Sequence, residues 1–221
     1  MTKPSPLIIV LFGAQGSGKG TQARLIQELL TIPQVATGDL FRHNLKNDTE
    51  LGKLAKGFMD KGNLVPDSVT NAMVQDRLNQ EDAQNGVILD GYPRNIAQAK
   101  ALETMLEAMQ TGVKQAIYMD VPEAELMRRL TGRWVCRVCQ STYHVLFNPP
   151  KVEGVCDRCG GELYQRDDDK DKEAIHRRLQ LYFEETMPVI DWYEERGLLG
   201  KVNGDLPIEE VNSRIKELIG A

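Results

Sequence analysis

The stretch of sequence that decides the fold is Leu7-Ile-Ile-Val-Leu-Phe-Gly-Ala-Gln-Gly-Ser-Gly-Lys-Gly-Thr21. Its first six residues are all apolar, which is typical of a parallel strand buried on both faces. The glycines that follow let backbone N–H groups curl around phosphate oxygens, and the next residues begin a helix whose N-terminus attracts anions. Lys19 would reach the terminal phosphates of a nucleotide. The stretch therefore predicts a phosphate-binding loop between a strand and a helix at residues 18–30.

The alternation of strand and helix continues along the chain. Further strands are predicted at residues 87–90 and 116–120, and a short late strand is predicted to end at Val202. Helices are predicted at residues 96–109, 122–130, 170–196 with a bend near Pro188, and 208–219. Strands that alternate with helices predict an α/β fold, in which helices flank a parallel β-sheet core.

Two stretches interrupt this alternation. Residues 38–65 have helical patches but no strand, and residues 132–169 are rich in Cys, Gly and Pro with short β-like pieces. Both follow directly after core elements, as inserts hinged on a core would. We therefore expect a core made of residues 1–35, 66–131 and 170–221, with one insert at residues 36–65 and a second at residues 132–169.

Composition restricts the classes of partner. The chain has 221 residues, a net charge of -5 and a pI of about 5.4, so its overall charge does not favour nucleic acid or an anionic membrane. The N-terminus lacks the basic start and apolar run of a signal peptide, and the longest apolar run, residues 7–12, is too short to span a bilayer. We expect a cytoplasmic monomer that binds neither nucleic acid nor membrane.

The four cysteines form two C-x-x-C motifs, Cys136 with Cys139 and Cys156 with Cys159, separated by sixteen residues. This is the spacing of a zinc ribbon, in which each tight turn offers two thiolates to one tetrahedral ion. Four protein ligands leave no open position, so the ion is expected to be structural. Zinc is the default metal, while Fe and Co also suit tetrahedral sulfur. Free thiols or two disulfides are the alternatives.

Motifs along nearly the whole chain carry a family resemblance. In chain order they are Gly-Lys-Gly-Thr at residues 18–21, Thr37-Gly-Asp-Leu-Phe-Arg42, Asp90-Gly-Tyr-Pro-Arg94 followed by Gln98, Thr131-Gly-Arg133, Tyr143-His-Val-Leu-Phe-Asn-Pro-Pro150 and Arg166-Asp-Asp-Asp169. The first of them has Gly20 after the lysine, where most phosphate loops have Ser or Thr. This set resembles the nucleoside monophosphate kinases, and within them the adenylate kinase family in its long-lid bacterial form.

The resemblance implies reversible, Mg²⁺-dependent phosphoryl transfer, ATP + AMP to 2 ADP, by direct in-line transfer without a phosphoenzyme. It implies that the first insert binds the nucleoside monophosphate and that the second is a small zinc-ribbon-like lid. The implied catalytic residues are Lys19, Asp90, Arg94, Arg133, Arg166, Asp168 and Arg177. The implied ATP-binding residues are Gly16, Ser17, Gly18, Lys19, Gly20, Thr21, Arg129, Arg133, Thr142, Tyr143, His144 and Leu206. The implied AMP-binding residues are Thr37, Arg42, Asn63, Leu64, Val65, Gly91, Tyr92, Pro93, Arg94, Gln98, Arg166 and Arg177.

Two other functions remain open at this point. The first is a kinase for another nucleoside monophosphate, or one that uses GTP as donor; Thr37 and Gln98 favour AMP and adenine. The second is an NTP-dependent module that binds nucleic acid through its zinc ribbon. Such a ribbon would need a basic, aromatic surface. Its arginines and lysine are offset here by Glu153, Asp157, Glu162 and the acidic run at residues 167–169.

Overall fold

The structure is a computed structural model that describes residues 5–59, 65–166 and 169–221. Its strands are β1 (Leu7–Phe12), β2 (Gln34–Ala36), β3 (Gly86–Asp90), β4 (Val113–Asp120), β5 (Arg133–Cys136), β6 (Thr142–His144), β7 (Leu163–Tyr164) and β8 (Leu199–Asn203). Its helices are α1 (Lys19–Leu30), α2 (Thr37–Lys46), α3 (Glu50–Met59), α4 (Asp67–Leu78), α5 (Ile96–Ala108), α6 (Glu123–Thr131), α7 (Lys172–Glu185), α8 (Met187–Glu195) and α9 (Ile208–Ile219), with a 3-10 turn at Glu81–Ala83. None of these helices combines the length and apolar character needed to cross a membrane.

A parallel sheet with strand order β2-β3-β1-β4-β8 forms the core, as the alternating pattern predicted. Strand β1 lies in the middle, paired with β3 on one side and β4 on the other. Leu11 pairs with Asp90 in this register, so the loop after β1 and the carboxylate that ends β3 lie at the same edge of the sheet. The carboxyl edge of an open parallel sheet is where such folds bind ligands.

The side chains of β1 alternate between two apolar layers. Ile8, Val10 and Phe12 join a cluster covered by α4, α5 and α8, while Ile9 and Leu11 join a second cluster covered by α1 and α9. All five side chains are at most 3% exposed. Because successive side chains of a strand point to opposite faces, an unbroken apolar run fits only a strand buried on both faces. The prediction for this strand is confirmed.

In the residues that the structure describes, both inserts have the secondary structure that their sequences predicted. In the described part of the first insert, α2 and α3 pack closely, since a Cβ on Gly52 would lie 2.3 Å from the Asn44 carbonyl oxygen. The second insert is a three-stranded antiparallel sheet of order β6-β5-β7 and is called the lid below. The bend predicted near Pro188 is a break between α7 and α8 at Thr186. Strand β2 and helix α4 were not predicted.

Candidate active site

The loop between β1 and α1 is shaped by three glycines with positive φ, Gly13, Gly16 and Gly18. A Cβ on Gly13 would lie 2.9 Å from the Met119 carbonyl oxygen, so the loop needs glycine there. Lys19 lies at the start of α1 and donates hydrogen bonds to the carbonyl oxygens of Gly13 and Ala14, the latter at 3.0 Å. The lysine thus lies inside the curl of backbone that was predicted to hold phosphate.

Burial lowers the pKa of Lys19 from 10.5 to about 8, although Asp90 nearby favours the charged form. Three arginines, Arg94, Arg133 and Arg178, add to the effect because they repel a positive charge on Lys19. A cluster of cations at the end of a buried strand is unfavourable by itself and becomes favourable when a polyanion lies among them. The charge distribution of the site therefore matches a phosphate ligand.

One continuous cleft of about 1300 Å³ runs from the loop past α2 to the lid. Most of the predicted site residues line it: Gly16, Ser17, Gly18, Lys19, Gly20, Thr21, Thr37, Arg42, Val65, Asp90, Gly91, Pro93, Arg94, Gln98, Arg129, Arg133, Thr142, Tyr143, His144, Arg166 and Leu206. These residues come from positions far apart in the chain, and the fold brings them onto one surface.

On the α2 side of the cleft, Thr37 and Arg94 are linked through Gly91. The Thr37 hydroxyl donates to the Gly91 carbonyl oxygen at 2.9 Å, and Arg94 Nε donates to the same oxygen at 2.9 Å. Burial lowers the pKa of Arg94, although the residue keeps solvent access through the cleft. Its guanidinium is therefore held in place in surroundings that favour binding of an anion.

Gln98 is only 4% exposed, and neighbours fix its carboxamide. Its Oε1 accepts from the backbone N–H of Arg94 at 2.8 Å, and its Nε2 donates to Asp67 at 2.7 Å. On α2, Arg42 forms an ion pair with Asp39. The polar groups on this side are held in a fixed orientation, as selective recognition of a small ligand requires.

At the base of the lid, one buried carboxylate holds two arginines. Asp169 is 1% exposed, and it accepts from Arg133 Nε and Nη2 at 2.7 Å each. Arg178 Nη1, from α7, donates to the same carboxylate at 3.2 Å. A bidentate pair of this kind fixes the plane of the guanidinium. Asp169 therefore orients both arginines at the edge of the cleft.

Where the lid meets the core, Arg129 and His144 line the cleft together. Arg129 donates to the Gly204 carbonyl oxygen at 3.0 Å and to Asp205 at 2.8 Å. His144 Nδ1 accepts backbone N–H bonds from residues 146 and 147 at 3.0 and 3.2 Å, and its ring packs on Phe147 at 4.4 Å. Burial lowers the pKa of His144. The imidazole is thus fixed and neutral, so it is better suited to stack on a flat ring of a ligand than to bind a charged group.

The four cysteines form one cluster in the lid, with all sulfur atoms within 4.8 Å of one another. The Sγ atoms of Cys136 and Cys159 are 3.4 Å apart, and those of Cys139 and Cys156 are 3.6 Å apart. A disulfide would need about 2.05 Å, whereas a tetrahedron with metal–sulfur bonds of about 2.3 Å has edges of about 3.8 Å. The donor set and its spacing are compatible with a tetrahedral metal ion held by the four cysteines.

Comparison with known proteins agrees with this geometry. The family model described as adenylate kinase matches residues 11–198. The chain belongs to the adenylate kinase family. It is 50% identical over 213 residues to the adenylate kinase of Listeria monocytogenes serotype 4b (strain CLIP80459), covering 96% of this chain and 99% of the relative. The adenylate kinases of Streptomyces avermitilis and Symbiobacterium thermophilum are 50% and 51% identical, each over 96% of this chain and over 96% and 98% of the relative.

Membership makes the protein a nucleoside monophosphate kinase, which is a phosphotransferase. Adenylate kinases use Mg²⁺ with ATP, and the carboxylate of Asp90 at the edge of the cleft is the kind of oxygen ligand that Mg²⁺ prefers. That carboxylate lies 3.9 Å from a Cβ built on Gly20 of the loop, and Gln34 Nε2 orients it at 3.0 Å. The alternative of a nucleic-acid-binding module is not favoured by the comparisons.

Two predicted site residues of the kinase lie elsewhere. The prediction that Arg177 reaches the cleft is wrong, because Arg177 is exposed on the outer face of α7 beside Lys172 and His176. Arg178 lines the cleft in its place. The side chain of Tyr92 is 1% exposed in the core, where its hydroxyl donates to Asn71 at 2.7 Å, so it does not reach the cleft. Asn63, Leu64 and Asp168 lie outside the described residues.

The missed residue Arg178 could have been found from helix geometry. The buried residues of α7 include Ile175 and Leu179. At about 100° per residue, Arg177 points about 160° away from both of them, whereas Arg178 lies about 60° from Ile175 and about 100° from Leu179. Asp169 carries no comparable signal, because three adjacent aspartates look alike in sequence.

The predicted role of Tyr143 in binding ATP needs a smaller correction. Although it lines the cleft, it is 7% exposed and its hydroxyl lies 3.3 Å from Cys156 Sγ. Burial raises the pKa of the Cys156 thiol, but hydrogen bonds from Tyr143 and from the N–H groups of residues 158 and 159 outweigh it and lower that pKa to about 6. The hydroxyl of Tyr143 therefore serves the cysteine cluster and its surroundings, since it also accepts from the backbone N–H of Asp157 at 2.8 Å.

Proposed function

We propose that the kinase catalyses ATP + AMP to 2 ADP, reversibly and by direct in-line transfer, and so maintains adenine nucleotide balance. The observation that carries the proposal is the convergence of Lys19, Arg94 and Arg178 on one cleft beside a glycine-rich loop. Transfer between two polyanions needs positioning and charge neutralisation more than it needs a nucleophile. A cleft lined with fixed cations supplies both.

In this proposal the donor lies along α1. Residues 16–21 would hold the ATP phosphates through backbone N–H groups, with Lys19 on the terminal phosphates. Arg129 and His144 would hold adenine between them, with Thr142, the Tyr143 backbone and Leu206 at its edges. The neutral, immobile imidazole of His144 supports this assignment. Magnesium, bound with ATP and held through Asp90, would reduce the negative charge on the phosphate oxygens.

The acceptor would lie on the α2 side. Arg42 and Arg94 would bind the AMP phosphate, since guanidinium can chelate two oxygens and stays charged. Thr37, Val65 and Gln98 would surround the base, and Gly91 and Pro93 would contact AMP through backbone. The hydrogen bonds that fix Gln98 to Asp67 and Arg94 support selection of one base, because a fixed amide cannot turn to suit another.

Between the two nucleotides, Arg133, Arg166 and Arg178 would surround the transferring phosphoryl group. Asp169 supports this role because it holds Arg133 and Arg178 on one carboxylate. The group would pass from ATP to AMP with both oxygens in line. Closure of the lid and of the first insert would exclude water that could otherwise accept the phosphoryl group. We place the hinges near Gly132 and Asp169, and near Gly38 and Val65, at the borders of residues 36–65 and 132–169.

We further propose that the cysteine cluster holds a structural zinc ion, bound by four thiolates with no position left for substrate. The four cysteines form no disulfide with one another, which also supports a reducing, cytoplasmic location. The negative net charge does not favour nucleic acid or an anionic membrane as a partner. We expect the kinase to act as a monomer.

Acceptor and donor selectivity test the proposal. ADP formation, coupled to a spectrophotometric assay, would be measured with ATP or GTP as donor against AMP, CMP, UMP and GMP. We expect kcat/KM for AMP to exceed that for every other acceptor by more than tenfold, which is about 1.4 kcal/mol of transition-state binding. A second acceptor within tenfold of AMP would contradict the adenine assignment. Magnesium-free reactions serve as the control and should show almost no turnover.

A further inference from the structure

Two contacts join α1 to the lid at the side of the cleft. Arg24 Nη1 donates to Ser141 Oγ at 3.2 Å, and Arg158 Nη2 lies 3.6 Å from Glu28 Oε1. Arg24 and Glu28 are four residues apart, so they share one face of α1. Both line the cleft, together with Arg158. We call these four residues, Arg24, Glu28, Ser141 and Arg158, the α1–lid latch.

The latch differs from the contacts at the base of the lid. There, Arg133 pairs with Asp169, and Gln165 Nε2 donates to the Thr131 carbonyl oxygen at 3.0 Å. Those residues lie where the lid leaves and rejoins the core, so their contacts can persist while the lid turns about its base. The latch residues of the lid lie farther along the insert and touch a different core element. Lifting the lid must break both latch contacts.

The latch also ties the lid to the phosphate loop. Helix α1 begins at Lys19, and Arg24 and Glu28 follow about one and a half and two and a half turns later on the same rigid element. On the lid, Ser141 directly precedes β6, the strand that ends at His144. A closed latch therefore fixes the distance between the loop and the surface formed by His144.

We propose that Arg24 and Glu28 are positioning residues for the donor nucleotide, holding the lid over ATP through Ser141 and Arg158. The inference rests on the proposed function and adds a determinant of ATP affinity that touches none of the reacting atoms. Opening the latch precedes release of nucleotide, so the latch favours tight ATP binding and slows release. A contact that stabilises only the closed state shifts the balance between open and closed lids.

The two latch contacts differ in strength. Ser141 is 3% exposed, so Arg24 makes a charge-assisted hydrogen bond at a largely desolvated site. Glu28 and Arg158 are 58% and 53% exposed, so water and salt weaken their ion pair. Ser141 Oγ also lies 3.1 Å from Cys139 Sγ, so a change at Ser141 would disturb the metal site. The test is therefore made on α1.

The test compares two double variants of the full chain. Arg24→Gln with Glu28→Gln removes the latch from α1. Glu210→Gln with Arg214→Gln is the matched control, because that pair is also spaced four residues apart on a helix, carries the same charges and lies on α9 at 2.9 Å. A third variant, Arg24→Lys, keeps the positive charge and a donor for Ser141. Melting curves check that all variants fold.

Two measurements are made. Small-angle X-ray scattering of nucleotide-free protein reports the radius of gyration, which should rise in the latch variant and stay at the wild-type value in the control. In steady state, the latch variant should raise KM for ATP about ten- to a hundredfold, the range expected for one charge-assisted hydrogen bond, to which one exposed ion pair adds little. Its kcat should be unchanged or higher, its KM for AMP should stay within about twofold, and Arg24→Lys should recover most of the ATP affinity.

The outcomes separate the latch from the proposed function. Wild-type protein that forms no ADP would refute the function, while the scattering comparison would still test the latch. A latch variant whose scattering matches that of the control would overturn the latch. So would an unchanged KM for ATP, or equal increases in KM for ATP and AMP, because a latch on the lid acts on the donor.

Discussion

Substituting Arg178 by Gln, with Arg177→Gln as its control, tests which arginine of α7 serves the reaction. The two residues are neighbours in one helix, so both substitutions remove one charge from the same element. Arg178 lies in the cleft on Asp169, close enough to Lys19 to lower the pKa of that lysine, while Arg177 is exposed on the outer face. Only Arg178→Gln should therefore impair turnover.

The magnitude follows from the bonds lost. Two charge-assisted hydrogen bonds to a phosphoryl group are worth about 1.5–3 kcal/mol each, or about 3–6 kcal/mol together. At about 1.4 kcal/mol per decade, kcat should fall by about 10²–10⁴ in Arg178→Gln and by less than about twofold in Arg177→Gln. The assay is coupled ADP formation at saturating ATP and AMP, with melting curves to exclude unfolding. Equal losses in both variants, or less than a tenfold loss in Arg178→Gln, would refute the assignment.

Three further predictions concern single features of the site. Burial lowers the pKa of Lys19 to about 8, and only the protonated amine attracts phosphate, so kcat/KM for ATP should be level below pH 8 and fall about tenfold per pH unit above it. At saturation, kcat should fall only at higher pH because bound phosphate stabilises the ammonium. A profile of kcat/KM that stays flat to pH 10 would contradict this. Arg94→Lys keeps a charge but loses the paired donors, so kcat should fall by about 10³–10⁵ with an unchanged melting curve; near-normal turnover would remove Arg94 from the site. Removing the metal with a chelator, or replacing Cys156 and Cys159 by Ser, should lower Tm by several degrees, while turnover measured well below Tm persists. Metal-free protein that is folded and binds nucleotide but has lost catalysis would show that the metal does more than hold the lid.

Much of the core could be predicted from the sequence because its signals are local. The apolar run of β1 and the spacing of the glycines before Lys19 each specify their structure within a few residues. The elements that were missed lack such a signal. Strand β2 has only three residues, too few for a periodic pattern, and it exists because β3 pairs with it through the register of Val35 with Leu89.

Within the site, the sequence predicted residue types better than side-chain directions. The Asp90-Gly-Tyr-Pro-Arg94 motif was expected to bind through all of its later residues, yet the side chain of Tyr92 packs into the core, where its hydroxyl donates to Asn71. The roles of Asp169 and Ser141 depend on partners 36 and 117 residues away in the chain. Such pairings come from the way the lid folds back on the core, which no local pattern encodes.

The ion pair between Arg133 and Asp169 joins the first residue of β5 to the end of the lid, so the insert leaves the core and returns to it at nearly the same place. In the core, α6 and α7 are consecutive helices, and the lid is the connection between them. Exchange of that unit between relatives, or its replacement by a short loop, would leave the strand order and both apolar layers of the sheet intact. The lid is therefore a module whose content could change while the architecture of the core beneath it stays the same.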